Sequence, residues 1–169
     1  MPEINTLLTS EVAKEKLHRL ALEIAENLEE DATDLILIGI KKNGMAIAQT
    51  VRVFLHRYIS IPIDVREMTF DKTNLRLSHI TGEADFSGKH IILIDDVSNS
   101  GRTLLYALKP LLEHTPKKIQ TLVMVERMHK LYPIHSDYVG LSIATTLHDY
   151  VSLEVEDGKV VGASVVNSE

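Results

Sequence analysis

The sequence predicts an α/β protein with a mostly parallel central sheet flanked by helices and a small C-terminal β region. Near-continuous apolar runs, DLILIGI (34–40) and IILI (91–94), fit strands that are buried on both faces of a parallel sheet. Amphipathic stretches alternate with these runs, which is typical of β/α units. With 169 residues, 44% of them hydrophobic, the chain is long enough to form one domain with its own core.

The first half of the chain predicts two helices and two strands, followed by a long loop. Residues 11–29 form an amphipathic helix with Ser10 as N-cap. Its apolar stripe consists of Leu17, Leu20, Ala21, Ile24 and Leu28. After the strand at 34–40, a loop at 41–44 leads into a second helix that ends near residue 58. A strand near 62–70 precedes residues 71–89, which are rich in turn formers and are expected to be a lid loop.

The second half predicts strands at 90–95 and 118–126 with a leucine-striped helix between them. The stripe consists of Leu104, Leu105, Leu108, Leu111 and Leu112. Pro110 is expected to kink this helix or to mark its last turn. Short β-like runs fill residues 138–166. We therefore expect a single domain over 1–169, with a core at about 10–135 and a β hood at about 136–169.

Composition excludes several classes of protein. The absence of cysteine rules out disulfides, thiolate metal sites and cysteine nucleophiles. No apolar run approaches the ~20 residues that cross a bilayer, and the N-terminus lacks the features of a signal peptide, so a cytoplasmic protein is expected. The formal net charge of −6 argues against nucleic acid as the main partner. The eight histidines show no metal-ligand spacing.

The stretch IILIDDVSNSGRTL (91–104) carries most of the chemistry. Asp95 and Asp96 end an apolar strand, where two adjacent like charges serve no packing purpose. Residues 98–103 then offer hydroxyl and backbone N–H donors at the start of a helix, which is a common cradle for phosphate. A sugar phosphate would satisfy both parts, since its hydroxyls donate to carboxylates and its phosphate accepts from the cradle.

A second polar loop, GIKKNG (39–44), follows the first buried strand. Its glycine spacing matches a Walker A loop, but Met45 and Ala46 stand where that loop has Lys and Ser/Thr, so an NTP-binding loop is rejected. Its two lysines could hold another anion, such as pyrophosphate. They could also be an ordinary exposed pair.

These motifs resemble those of type I phosphoribosyltransferases. IILIDDVSNSGRT resembles the family's phosphoribosyl diphosphate (PRPP) motif, GIKKNGMAIA its pyrophosphate loop, and ERMHKLYPIHSDYVGLSIATT the strand and hood that close over the base. Together they span most of residues 34–150. The resemblance is closest to a bifunctional branch that joins uracil phosphoribosyltransferase activity to regulation of pyrimidine operons.

The resemblance implies roles for individual residues. Asp95 and Asp96 would be the catalytic pair that holds the ribose hydroxyls. Mg²⁺ would arrive with PRPP, held mainly by substrate oxygens and water rather than by side chains. The 5′-phosphate would be bound by Ser98, Asn99, Ser100, Gly101, Arg102 and Thr103. Pyrophosphate would be bound by Lys41, Lys42, Asn43 and Gly44, with a strained cis peptide as in relatives, and by Lys72 and Arg76 of the lid. Relatives usually dimerise, so a homodimer or higher homo-oligomer is expected.

The base would contact Glu126, Arg127 and Leu147, and here the sequence departs from the purine-using relatives. They have an acid in place of Asn99, a lysine in place of Glu126 and an aromatic ring in place of Leu147. Uracil is therefore the preferred base. Two of these residues also have a structural alternative, since Arg127 could pack or pair with a neighbouring carboxylate and Leu147 could belong to the core.

RNA is not an expected partner. RNA-binding members of the pyrimidine branch have a Thr-Arg pair with a His one turn later, where this chain has His18-Arg19 and Leu22. A PRPP- or nucleotide-sensing regulator with little or no turnover stays open as an alternative to the enzyme. A receiver-like phosphoacceptor domain is remote, because its acidic pair would end the first strand of the fold.

Overall fold

The computed structural model describes residues 3–71, 73–76, 78–83 and 85–167. Within these ranges the chain forms a six-stranded sheet, a three-stranded sheet and three α-helices. The elements in chain order are β1 (Glu3–Leu8), α1 (Ser10–Asn27), β2 (Leu35–Ile40), α2 (Lys41–Leu55), β3 (Ile63–Phe70), β4 (Ser78–Ile80), β5 (His90–Ser98), α3 (Arg102–Leu112), β6 (Lys118–Arg127), β7 (Tyr138–Ile143), β8 (Asp149–Glu156) and β9 (Lys159–Asn167).

The central sheet has the strand order β4-β3-β2-β5-β6-β7, and all of its strands are parallel except the edge strand β4. Every residue of β2 is buried, as a strand covered on both faces must be. Leu35 and Leu37 face the cluster that contains α1 and α2, whereas Ile36 and Ile38 face the cluster that contains α3. The predicted α/β class with a mostly parallel sheet is confirmed.

The smaller sheet is antiparallel, with the order β1-β9-β8. Its C-terminal hairpin is the predicted β region, but its third strand, EINTLL at the N-terminus, was not predicted. Conversely, YVGLSI (138–143), which the sequence placed in the hood, is β7 of the central sheet and pairs in parallel with β6. Both outcomes depend on pairing between distant segments, which the local pattern does not encode.

Several helices and strands begin or end at residues other than those predicted. Thr9, not Ser10, is the N-cap of α1, because its hydroxyl accepts a hydrogen bond from the Val12 N–H (3.3 Å). α2 ends at Leu55 rather than near 58, and β5 continues through Ser98. Pro110 lies in the last turn of α3, as predicted.

The segment 71–89 is more ordered than a surface loop. Its strand β4 pairs with β3, with Met68 opposite Ile80 and Phe70 opposite Ser78. Phe86 is buried in the same cluster as Leu104 and Leu111 of α3, so the end of the segment is fixed to the core. No helix in the described part of the chain is long and apolar enough to span a membrane.

Candidate functional site

A cavity of about 360 Å³ lies beyond the carboxyl ends of β2 and β5, where ligands of open α/β sheets bind. The structure brings the predicted PRPP motif together around it. Lys41 enters from the first turn of α2, and Leu75 reaches it from the 71–89 segment. The motif contributes Asp95 and every residue from 97 to 104. The cavity falls within the ~300–1,000 Å³ range of small-molecule sites.

The two adjacent aspartates occupy different environments. Asp95 is 7% exposed, whereas Asp96 is half-buried. Burial, and then the neighbouring Asp96 carboxylate, raise the pKa of Asp95 well above its ordinary value. Asp96 accepts hydrogen bonds from the Asn43 amide (2.9 Å) and the Val97 N–H (2.7 Å). Asp95 in turn accepts a hydrogen bond from the Asp96 backbone N–H (2.9 Å).

Residues 98–101 turn the chain from β5 into α3. Gly101 is the N-cap of α3 and has a φ of +85°, a conformation that side chains disfavour. A Cβ there would also lie 2.7 Å from the Ile134 Cγ2. Gly101 has no side chain with which to cap the helix, and the Arg102 N–H donates instead to the Ser100 hydroxyl (3.3 Å). Residues 100–104 line the cavity, so the N-terminus of α3 lies at its wall. This is the arrangement that favours an anion.

The predicted pyrophosphate loop is not a loop. Residues 41–44 form the first turn of α2, which starts directly at the end of β2. Close packing makes this possible, because a Cβ on Gly44 would lie 2.6 Å from the Ile94 carbonyl oxygen. The described residues contain no cis peptide, and the backbone of Lys41 is instead left-handed with a φ of +57°. The expectation of a cis bond is therefore wrong for this structure.

The four residues of this turn point to different surroundings. Lys41 lines the cavity, and Lys42 is exposed. Asn43 is turned toward Asp96, and Gly44 is buried against β5. Of the four, Lys41 is therefore the residue that the fold places at the cavity.

The 71–89 segment borders a second cavity of about 470 Å³, which Lys41 and Arg102 also line. Leu75, Asn74 and Thr73 supply its other wall. Arg76 is exposed, and its N–H donates to the Asn74 side chain (3.0 Å). Lys72 lies outside the described residues.

Two of the residues predicted to contact the base, Glu126 and Arg127, belong to a network at the end of β6. Glu126 forms a 3.1 Å ion pair with Lys130 and accepts a hydrogen bond from the Ser136 N–H (3.2 Å). Both charged side chains are largely buried, with exposed fractions of 13% and 11%. Lys130 also donates to the Ser98 hydroxyl (2.6 Å).

Arg127 is held by neighbouring neutral polar groups, and not by the carboxylate that its structural alternative expected. It donates to the Thr145 hydroxyl (2.6 Å), the Thr146 carbonyl (2.8 Å) and the Asn99 side chain (3.2 Å). Leu147, in the adjoining loop, is 90% exposed. The alternative that Leu147 belongs to the core is therefore wrong.

Sequence reasoning missed Lys130. Together with Arg127, it joins the end of β6 to the loop at 98–100, and the N–H groups of Leu131 and Tyr132 both donate to the Ser100 carbonyl (3.0 and 3.1 Å). The available signal was the stretch ERMHK (126–130), in which a strand ends on an acid and two cations follow. It did not reveal which cation pairs with Glu126.

Comparisons with known proteins agree with this geometry. The phosphoribosyl transferase domain family matches residues 4–156. Bifunctional protein PyrR 1 of Lactiplantibacillus plantarum is 33% identical over 153 residues, covering 83% of this chain and 84% of that protein. Bifunctional protein PyrR of Ligilactobacillus salivarius is 35% identical over 160 residues, covering 86% and 89%.

Solved structures show the same fold. The hypoxanthine phosphoribosyltransferase of Trypanosoma cruzi superposes with a TM-score of 0.78 at 18% identity, covering 98% of this chain and 97% of that one. A hypoxanthine-guanine phosphoribosyltransferase of Bacillus anthracis gives a TM-score of 0.75 at 19% identity, covering 98% and 99%. The resemblance to type I phosphoribosyltransferases is thus confirmed, and the chain belongs to the phosphoribosyl transferase domain family.

Proposed function

We propose that the chain transfers the 5-phosphoribosyl group of PRPP to a nucleobase nitrogen and releases pyrophosphate. The observation that carries the proposal is the cavity in which Asp95 and the whole loop 98–103 meet at the N-terminus of α3. An anion cradle next to a carboxylate fits a phosphorylated sugar, as the sequence suggested. Membership of the phosphoribosyl transferase domain family supports the same reaction.

Each part of PRPP has a partner in this arrangement. The 5′-phosphate accepts hydrogen bonds from the loop 98–103 and from the first turn of α3. The ribose hydroxyls donate to Asp95 and Asp96, and the ribose takes the place of the Asn43 amide on Asp96. Pyrophosphate lies toward Lys41, which together with Arg102 lines both cavities. Lys42 and Arg76, which are exposed, reach pyrophosphate if the 71–89 segment closes.

The reaction breaks the bond between ribose C1 and pyrophosphate, and pyrophosphate leaves with the bonding pair. The base nitrogen then bonds to C1, and its proton passes to the departing pyrophosphate or to water. Positive charge develops on the ribose ring, so the site acts by positioning the reactants and by stabilising charge. Mg²⁺ would bind with PRPP mainly through substrate oxygens and water, which suit this ion, and would neutralise charge on the departing pyrophosphate.

Uracil is the proposed base. The largely buried Glu126–Lys130 pair stands where purine-using relatives have a lysine free to meet a purine oxygen. The Asn99 amide cannot take up the proton of the base, as a carboxylate at this position would. Its amide oxygen already accepts a hydrogen bond from Arg127. A homodimer is part of the proposal, and RNA binding is not. The alternative, a regulator that senses PRPP or a nucleotide with little turnover, uses the same cavity.

The test is pyrophosphate release from PRPP and Mg²⁺ with uracil, hypoxanthine, guanine, xanthine, adenine or orotate. We expect release with uracil, and we expect Asp96→Asn to reduce kcat/KM by about a hundredfold or more, because a ribose contact is lost at the reacting end. Asp157→Asn, in an exposed turn far along the chain, is the matched control and should retain full activity. PRPP binding without release for any base would favour the regulator, and no PRPP binding at all would overturn both readings.

A further inference from the structure

A third cavity lies where α1, α2 and β9 meet, and the proposed reaction does not use it. Its volume is about 430 Å³, which is again the size of a small-molecule site. It is formed by the first half of α1, the last turns of α2 and the start of β9. The candidate site, in contrast, opens at the first turn of α2.

The floor of this groove is apolar. Leu17, Phe54 and Val160 are all less than 10% exposed, and Val53 stands at the edge with 60% of its surface exposed. The Phe54 ring stacks on the His18 ring, with 4.6 Å between the ring centroids, and the Arg57 guanidinium lies 5.3 Å from the Phe54 centroid. These contacts hold the ring in place in the floor of the groove.

The rim of the groove is cationic. Lys14, Arg57 and Lys159 come from three separate segments of the chain, and all three are exposed. Among the described residues that line the groove, none is acidic, and none of the three cations has a carboxylate within ion-pair distance in the described ranges. Elsewhere, cations such as Lys89, Lys117 and Lys130 are each paired with an acid.

This combination is unexpected for the composition of the chain. Acidic residues outnumber Lys and Arg by 24 to 18, so three neighbouring cations without a carboxylate partner run against the overall charge. Like charges around a concave apolar surface repel one another, and an anion seated between them would relieve that repulsion. An apolar floor adds affinity for a ligand whose body is also apolar.

We propose that this groove binds a small organic anion with an apolar or aromatic body. The anionic head lies between Lys14, Arg57 and Lys159, and the body covers Val53 and Val160. Ser10 and Thr50, which also line the groove, place hydroxyl groups beside the ligand. Inorganic phosphate would occupy only the rim and would bind weakly.

The test uses 8-anilinonaphthalene-1-sulfonate, an aromatic anion whose fluorescence rises in an apolar environment, titrated into the full chain. Lys159→Glu and Lys14→Glu should each weaken the binding by about tenfold, because each replaces an attraction with a repulsion. Lys109→Glu makes the same charge change on an exposed face of α3 and should leave affinity within about twofold. Phenyl phosphate should displace the probe at lower concentration than inorganic phosphate.

Other outcomes would overturn the proposal. Equal affinity in all three variants would place the probe elsewhere, and displacement by pyrophosphate would place it in the candidate active site. If Lys159→Glu changes the sedimentation coefficient while probe binding is unaffected, the groove is a contact between copies of the chain instead. Because Lys14 and Lys159 are both exposed and on different elements, misfolding of one variant would leave the other to decide.

Discussion

At the scale of single residues, the Asp95-Asp96 pair lowers the stability of the fold but supplies carboxylates for a ligand. Asp95 is buried beside another carboxylate, and the charge of Lys41 only partly offsets the effect of burial and of that carboxylate on its pKa. When Asp95 is ionised, its burial lowers the free energy of unfolding. A core selected for stability alone would not contain it. Its retention at a cavity is typical of a group selected for a ligand.

Asp95→Asn should therefore stabilise the fold at neutral pH. Because the pKa of Asp95 is raised in the folded state, its burial penalty is absent below the unfolded pKa and fully present above the folded pKa. Replacing the carboxyl by an amide removes that penalty, so the gain should be about 1–3 kcal/mol at pH 8 and should shrink toward pH 4. Urea denaturation at several pH values measures the difference.

The matched control is Asp157→Asn, in the exposed turn between β8 and β9, where the left-handed backbone accepts either residue. It should leave the free energy of unfolding nearly unchanged at every pH. A stabilisation of Asp95→Asn that stays constant with pH would show that its burial does not penalise the charged form. PRPP affinity should fall in the Asp95 variant even as stability rises.

At the scale of elements, the first turn of α2 links packing to the candidate site. Gly44 lets this turn lie against β5, and Asn43 then reaches Asp96 while Lys41 reaches the cavity. Gly44→Ala would place a methyl group 2.6 Å from the Ile94 carbonyl, so the turn must move away from β5. We expect a loss of about 1–3 kcal/mol in unfolding free energy and weaker PRPP binding by calorimetry.

Gln49→Ala, at an exposed position of the same helix, is the control for this substitution. It changes helix propensity slightly and touches neither the sheet nor the cavity. The free energy of unfolding and the PRPP affinity should both stay close to those of the parent chain. If Gly44→Ala lost stability but kept full PRPP affinity, the position of this turn would not matter to the ligand.

The same elements show what sequence can predict. Periodicity and apolar runs identified α1, β2, β5 and β6 because these elements bury regular faces, and the motif at 91–104 identified the cavity wall because its residues are contiguous. Three features could not be predicted from local sequence patterns. β1 depends on pairing with β9, the Lys130–Ser98 bond joins residues 32 positions apart, and the helical start at Lys41 depends on a close contact between Gly44 and β5.

At the scale of the whole molecule, charge is distributed unevenly. The candidate site lies at the carboxyl ends of the strands, whereas an ion-pair network lies at their amino ends. There Lys117 contacts Asp31 (2.6 Å) and Glu29 (3.4 Å), and His90 lies 3.5 Å from Glu29. Lys89 and Asp34 extend the network. It joins the connection between α1 and β2 to the starts of β5 and β6.

Acid should weaken this network. The hydrogen bonds from His90 and then Lys117 lower the pKa of Glu29, and the hydrogen bond from Lys117 lowers the pKa of Asp31. A lowered pKa stabilises the fold above the unfolded pKa, near 4.5 for Glu and 3.8 for Asp, and this stabilisation is lost as pH falls through the folded pKa. Lys117→Gln should therefore lower Tm by about 2 °C at pH 7 and low salt. The difference from the parent chain should diminish below pH 4 and in 1 M salt.

The control is Lys109→Gln, at an exposed lysine with no ion pair in the described ranges, and calorimetry measures Tm for both variants. A Tm difference that neither diminishes with falling pH nor responds to 1 M salt would mean that Lys117 stabilises the fold by packing rather than by its charge.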